Sequence, residues 1–310
     1  MLCNPPMVRF PIVFSVPFFF RKKRQGKSAG TLSTIFKKTK ILSLGSLIIR
    51  EFDNFALNRL ITEDMKYAII AAGEGSRLAQ EGVEAPKPLV RINGEPLIDR
   101  LIRIFMQNDA EEIVIICNDR MTAVGEHLKK IQADGLQGRH IPLRLVVKST
   151  PSSMHSMYEI SRWLEGSPFC LTTVDTIFRE EEFGAYIARL KDCLADGSED
   201  GVMAVTDYID DEKPLYISTD GDMQITGFHD VQNGCSLISG GIYGLSPGSI
   251  STLRRCIDRG ESRMRNFQRA LIADGMRLKA YKFSKILDID HKEDIDKAEG
   301  FINQESGKRN

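Results

Sequence analysis

The sequence lacks a net charge, closely spaced cysteines and any apolar run long enough to cross a bilayer. Its 310 residues carry 42 basic and 42 acidic side chains. The basic residues are spread out, with no basic patch that includes aromatic residues, so no nucleic-acid partner is expected. The six cysteines form no Cys-x-x-Cys pair, which disfavours zinc-ribbon and thioredoxin-like chemistry. This cysteine usage predicts a reducing compartment, the cytoplasm.

The longest apolar stretch lies near the start of the chain, at residues 10–20, and is followed by four basic residues, 21–24. It is about half the length that a membrane-spanning helix needs. Because its charges follow it, it is also a poor signal peptide. We expect no stable membrane insertion, with a surface anchor as the alternative.

Composition changes at Met65, which we predict to be the true initiator. Residues 1–64 are then a non-native or disordered extension, and residues 65–305 form the domain.

A glycine loop follows the first apolar strand of that domain. Residues 71–78 read Ala-Ala-Gly-Glu-Gly-Ser-Arg-Leu. Glycines let the backbone approach an anion closely and turn its N–H groups toward it. Arg77 offers a planar fork for phosphate oxygens, and Lys87 offers a compact point charge. The dinucleotide-binding fingerprint would need glycine at Leu78, and the Walker A pattern Gly-Lys-Ser/Thr is also absent, so both are disfavoured.

Two further segments follow the loop: Pro86-Lys87-Pro88-Leu89, and the run Val-Arg-Ile-Asn-Gly-Glu-Pro-Leu-Ile at residues 90–98. Together with the loop, they resemble the signature of the sugar-phosphate nucleotidylyltransferases and the related MobA-like and choline-phosphate cytidylyltransferase-like enzymes. Glu95 replaces the usual lysine. The resemblance implies an enzyme that transfers a nucleoside monophosphate from an NTP to a phosphorylated small molecule, with Mg²⁺ as cofactor and release of pyrophosphate. The alternative is a strand-turn-helix unit whose charges are only solvated.

The predicted nucleotide site combines the loop chemistry with this resemblance. Its members are Ala71, Ala72, Gly73, Glu74, Gly75, Ser76, Arg77, Lys87 and Ser153. Arg77 and Lys87 are also predicted to be catalytic, together with Asp175. Ser153 stands at the predicted start of a helix, where hydroxyl and backbone N–H groups can hold a base or a phosphate. Plain helix capping is the alternative for this serine.

The predicted metal site consists of Asp175, Asp288 and Asp290. Carboxylates together with phosphate oxygens are the ligands that Mg²⁺ commonly takes. Asp175 ends an apolar run and should lie at the carboxyl end of a strand, where open α/β sheets bind ligands. Asp288 and Asp290 project to the same side of an extended chain. In the family that the loop resembles, an aspartate matching Asp175 holds the metal; capping of the next helix is the alternative.

Acceptor binding is assigned to Ser156, Gly240 and Gly241. The two glycines permit close backbone approach, and their strand resembles the acceptor-side strand of the family. The family's sugar-binding Glu-Lys pair has no counterpart here, which disfavours a hexose 1-phosphate acceptor. The serine-containing segment around Ser156 is closer to the phosphoalcohol branch. The base, the acceptor and the oligomeric state stay open.

Strand and helix patterns alternate from Met65 to about residue 205, then give way to short strands typical of an antiparallel insertion. We predict a three-layer α/β/α, Rossmann-like (GT-A-like) fold with a mixed, mostly parallel sheet, in which the second half forms a substrate lid. Two other functions stay open. One is a nucleotide-binding regulatory protein without activity; the other is a metal-dependent glycosyltransferase, although the usual Asp-x-Asp reads Asp175-Thr176-Ile177 here.

Overall fold

The structure is a computed structural model that describes residues 65–210 and 212–306. The predictions made for residues 1–64 therefore lie outside the described residues. Within the described ranges, no helix is both long enough and apolar enough to cross a membrane.

The first half of the domain alternates strands with helices, as its pattern predicts. Its elements are β1 (Lys66–Ala71), α1 (Ser76–Gln80), β2 (Arg91–Ile92), β3 (Glu95–Pro96), α2 (Leu97–Gln107), β4 (Glu112–Cys117), α3 (Thr122–Asp134), β5 (Leu143–Val147), α4 (Ser153–Ser161), β6 (Phe169–Thr173), β7 (Thr176–Ile177) and α5 (Glu180–Ala195). A short 3-10 turn at Lys87–Leu89 lies between α1 and β2.

The second half contains more strands. Its elements are β8 (Gly201–Thr206), β9 (Tyr216–Thr219), β10 (Ile225–His229), β11 (Leu237–Leu245), α6 (Ser249–Asp258), α7 (Met264–Ala273), β12 (Leu278–Lys282), β13 (Leu287–Asp288) and α8 (Lys292–Ser306). The short strand β13 leaves the main sheet and pairs with β7.

The main sheet has a parallel part and a mixed part. Strands β5, β4, β1 and β6 lie side by side in that order and are parallel. Strand β11 joins β6 in the antiparallel sense and also pairs with β8 and β9. Strand β12 then adds parallel to β8, and β10 adds antiparallel to β9. The predicted fold class is confirmed by this sheet and the helices that cover it.

Two hydrophobic clusters, one on each face of the sheet, make up the core. In β1, Tyr67 and Ile69 belong to one cluster, whereas Ala68 and Ile70 belong to the other. Successive side chains of a strand point to opposite faces, so both faces of β1 must be covered. Helices α2, α3, α5 and α8 supply buried residues to the first cluster, and α4, α6 and α7 supply them to the second. This double cover explains why the strand reads as a continuous apolar run.

The observed elements differ from the sequence pattern at three places. The apolar pattern alone indicates a strand over residues 242–245, but β11 covers nine residues, because Gly240 and Gly241 interrupt the apolar pattern in its first half. Gly241 has φ +72°, and the pairing with β8 shifts register there. The sequence pattern also predicts a strand over residues 223–226, but Met223 has φ 64° and lies in a turn, where its backbone N–H donates to the carbonyl of Asp220 at 3.2 Å. Helix α1 is too short to show a helical period.

Glycine is required in β11 where helix α5 packs against the strand. A Cβ atom at Gly244 would overlap Leu190 and lie 2.6 Å from Tyr186 Oη. That hydroxyl is fixed because it donates a hydrogen bond of 2.8 Å to the carbonyl of Val202. Close helix-to-strand contact at this point therefore depends on the missing side chain.

We predict that Gly244→Ala lowers the free energy of unfolding by about 1–3 kcal/mol, the usual cost of forcing extra atoms into a packed core. Denaturant unfolding measures it. Gly221→Ala is the matched control, because a Cβ there meets nothing within 4 Å. Equal unfolding free energies for the two variants would contradict the packing account.

Candidate active site

Four parallel strands end at the rim of one cavity, here called the first cavity, of about 760 Å³. The residues that follow β1, β4, β5 and β6 all line it, namely Ala72, Asn118, Ser149 and Asp175. Strand order reverses at β1, which has β4 on one side and β6 on the other. Open α/β sheets bind ligands at such a reversal, outside the carboxyl ends of the strands.

The glycine loop forms one wall of the first cavity, to which residues 73–77 all contribute. Gly75 has φ +62°, and a Cβ there would lie 2.9 Å from Lys87 Cβ. Glycine is thus needed at this position both for the left-handed backbone and for contact with the lysine stem. The loop and Lys87 consequently form one packed unit.

Lys87 is the central cation of the first cavity. Its side chain is only 9% exposed, and its Nζ forms ion pairs with the carboxylate of Asp175 and, at 2.7 Å, with Asp290 Oδ1. Burial opposes the charged form, but the two carboxylates outweigh it and raise the pKa of Lys87 above its usual range. The ammonium is therefore retained throughout the neutral pH range. Arg77 Nη1 reaches the other oxygen of Asp290 at 3.2 Å.

Asp175 presents one oxygen that no protein group satisfies. Its Oδ2 contacts Lys87, while its Oδ1 is buried and has no hydrogen-bond partner. A buried carboxylate oxygen without a partner is costly, and a cation at this place would remove that cost. The described residues contain no group of three or more His, Cys, Asp or Glu that could hold a metal ion. A cation at Asp175 would need oxygens from phosphate or water, as Mg²⁺ often does.

The two aspartates of the predicted pair, Asp288 and Asp290, differ in the cavities that they line. Asp290 lines the first cavity together with Asp175, whereas Asp288 does not. Asp288 and Asp290 both line a second cavity of about 730 Å³, which is bordered by the end of β8, the first half of β11 and most of residues 286–297. Arg77 and Asp290 line both cavities. Of the pair, Asp290 is thus the one placed beside Asp175, and metal binding by Asp288 stays a prediction.

The structure also locates the remaining predicted residues. Ser153 lines the first cavity, and so does Ser156, which the sequence assigns to the acceptor. Ser156 is almost fully buried and its Oγ lies 2.6 Å from Thr150 Oγ1. Gly240 lines the second cavity, and its acceptor role stays a prediction.

Two predicted residues lie beside the cavities without lining either. Ala71 is fully buried at the end of β1, whereas its two neighbours Ile70 and Ala72 line the first cavity. Gly241 packs next to Thr176, where a Cβ would lie 3.4 Å from the threonine Oγ1. The placement of Ala71 follows from the alternation of a strand, which turns every second residue away from a given face.

Several lining residues are absent from the sequence-based prediction. Asn118 is buried; its Nδ2 donates to the carbonyl of Ala72 at 3.2 Å, and its Oδ1 accepts from the backbone N–H of Arg120 at 2.9 Å. The Arg120 guanidinium pairs with Glu74 at 3.0 Å, so this network fixes the far side of the glycine loop. Asn118 and Ser149 each follow a strand end closely, the same signal that pointed to Asp175.

Comparison with known proteins places the chain in a family. Residues 67–239 match the MobA-like NTP transferase domain. The chain is 30% identical to glucose-1-phosphate cytidylyltransferase of Salmonella typhimurium over 63 residues, 20% of this chain and 24% of that enzyme. It is 24% identical to the "Probable glucose-1-phosphate cytidylyltransferase" of Bacillus subtilis over 212 residues, 68% of this chain and 66% of that protein. These matches span about a quarter and about two thirds of the two relatives.

A solved structure gives the same fold. The CTP:phosphocholine cytidylyltransferase of Streptococcus pneumoniae superposes with a TM-score of 0.59 at 19% identity, over 77% of this chain and 99% of that one. Because the family model matches more than half of the chain, residues 67–239, the chain belongs to the MobA-like NTP transferase domain family, a class of nucleotidyltransferases. The predicted family is thereby confirmed.

We predict that Gly75→Ala weakens NTP binding at least fivefold. The added methyl group strains the left-handed backbone by roughly 1–2 kcal/mol and pushes against Lys87. Calorimetric titration with each NTP measures the dissociation constant. Gly82→Ala is the matched control, since Gly82 has φ +84° but a Cβ added there would meet nothing within 4 Å. An equal effect of both variants on NTP binding would contradict a specific role for Gly75.

Proposed function

We propose that this protein transfers a nucleoside monophosphate from an NTP to a phosphorylated small molecule, a phosphoalcohol or a sugar phosphate, with release of pyrophosphate. The observation that carries the proposal is the buried Lys87 ammonium. It is held between Asp175 and Asp290 and packed under a glycine loop. A fixed cation beside a buried carboxylate oxygen that lacks a partner suits the binding of a triphosphate and its metal ion.

The proposed reaction is an in-line displacement at the α-phosphorus of the NTP. An oxygen of the acceptor phosphate forms a bond to that phosphorus, and the bond to the bridging oxygen breaks. Pyrophosphate leaves with the electron pair. Such a reaction needs positioning and charge neutralisation more than a covalent nucleophile.

Each part of the first cavity has a role in this scheme. The loop at residues 73–76 and Arg77 bind the β- and γ-phosphates. Lys87 neutralises the charge that develops on the bridging oxygen. Mg²⁺ held by Asp175 and Asp290 supplies further charge neutralisation when bound. Asp288 is kept as a candidate ligand from the neighbouring cavity.

The acceptor is proposed to occupy the second cavity. That cavity shares Arg77 and Asp290 with the first, so a phosphate at the boundary can reach the NTP. Of the relatives, two carry names that specify glucose 1-phosphate and one solved structure specifies phosphocholine. Absence of the sugar-binding Glu-Lys pair from the sequence favours the phosphoalcohol.

A pyrophosphate-release screen tests the proposal. Four NTPs are each combined with a panel of phosphoalcohols, phosphonates and sugar phosphates in the presence of Mg²⁺. We expect release that depends on one NTP and one acceptor class. NTP binding with no release for any pair would favour the regulatory protein, and sugar transfer from a nucleotide sugar without pyrophosphate would favour the glycosyltransferase.

We predict that Lys87→Ala lowers turnover about a hundredfold or more, by analogy with other oriented groups that stabilise developing charge. Steady-state pyrophosphate release measures it. Thermal unfolding checks that the variant is folded, because the change leaves two carboxylates without their shared cation. Lys282→Ala is the control: this exposed lysine pairs only with Asp207 among the contacts described and lines neither cavity. Near-normal turnover of Lys87→Ala would refute the assigned role.

A further inference from the structure

The two cavities differ sharply in charge. The first is lined by three acidic residues and by three lysines or arginines. The second is lined by eight aspartates or glutamates, against three lysines or arginines and one histidine. A cleft lined by one sign of charge concentrates ligands of the opposite sign. The second cavity is therefore built for a ligand that brings positive charge.

The basic groups of the second cavity do not cancel this excess. Lys297 Nζ alone contacts three carboxylates, those of Glu293, Asp294 and Asp210, at 3.0 to 3.4 Å. Arg77 and His291 are each shared in the same way between two carboxylates. Because each of these cations already serves several acids, the cavity keeps a surplus of negative charge.

The shared boundary orients an acceptor. Its phosphate must face the α-phosphate of the NTP in the first cavity, which places that anionic end at the boundary between the two cavities. The rest of the molecule extends into the second cavity, whose lining includes the carboxylates of Asp210 and Glu212. An acceptor whose remote end is neutral or anionic would gain nothing from these carboxylates.

We propose that the acceptor carries a primary ammonium group at the end remote from its phosphate or phosphonate, an inference that rests on the proposed function. Its class is the aminoalkyl phosphates and aminoalkylphosphonates. A primary ammonium donates hydrogen bonds to carboxylates. A quaternary ammonium is bound instead by aromatic faces. The described lining of the cavity has one aromatic residue, Tyr208, and Lys285 Nζ already lies 4.0 Å from its ring centroid.

Matched acceptors test the inference. Phosphoethanolamine, 2-aminoethylphosphonate, phosphocholine and n-propyl phosphate are compared by calorimetric binding in the presence of a non-reactive NTP analogue, and by pyrophosphate release. We expect one of the two primary amines to bind at least tenfold more tightly than n-propyl phosphate, and more tightly than phosphocholine. The primary amine that binds more tightly shows whether the preferred acceptor is a phosphate or a phosphonate. Equal or tighter binding of n-propyl phosphate or phosphocholine would overturn the inference.

A charge-neutralising variant locates the ammonium. Asp210→Asn should raise the KM of the preferred amine about tenfold, the loss of one hydrogen bond to a charged group. The KM of the NTP and binding of n-propyl phosphate should not change. Glu165→Gln is the control, because this carboxylate pairs with Arg254 and lines neither cavity. An equal change for amine and n-propyl phosphate would assign Asp210 a structural role and contradict the placement.

The two readouts separate the inference from the function on which it rests. Pyrophosphate release with neutral acceptors alone would overturn the ammonium while leaving nucleotidyl transfer intact. No release with any acceptor, combined with tighter calorimetric binding of the amine, would overturn nucleotidyl transfer and support the ammonium site.

Discussion

The ion pairs of Lys87 are the interaction on which the site depends. One buried ammonium joins two carboxylates, and the pair with Asp290 links residues 203 positions apart in the chain. A lysine buried to this extent is tolerated only when it is paired, and removal of either partner leaves an uncompensated charge. The same contacts place a cation and two carboxylates where four strands end. The contacts that join these distant segments are thus also the contacts that assemble the site.

Secondary structure holds each member of this cluster in place. Asp175 follows β6, and its backbone carbonyl accepts a hydrogen bond from Ile289 N–H at 3.1 Å. That contact brings the segment of Asp290 directly against the strand end. Asp294, at the start of α8, accepts hydrogen bonds from the backbone N–H groups of Asp290 and His291 at 3.1 and 2.7 Å. A helix entry thereby fixes the loop that carries the second carboxylate.

Local signals predicted much of this arrangement. The apolar run of β1 and the glycines after it located the loop, and Asp175 was found because it ends an apolar strand. Asp294 lies in the first turn of α8, where a negative charge is favoured. The division of Asp288 from Asp290 was not predictable, because period-two alternation ends where β13 stops and the chain turns. Nor could the ion pairs of Lys87 be predicted, since they depend on distant segments. Glu95, where a lysine is usual, pairs with Arg103 at 2.8 Å, a contact that no local pattern signals.

The two cavities differ in charge and in the ligand that each is proposed to bind. The first balances its charges and offers a fixed cation with an unsatisfied carboxylate oxygen, as a site for a triphosphate and its metal ion would. The second adds a surplus of carboxylates next to a shared arginine.

The central claim is that the triphosphate lies in the first cavity. A crystal structure with Mg²⁺ and a non-reactive analogue of the NTP that binds most tightly tests it most directly. We expect the phosphates between the glycine loop and Lys87, with the metal ion on Asp175. A triphosphate bound elsewhere, or one without contact to Lys87, would contradict the account.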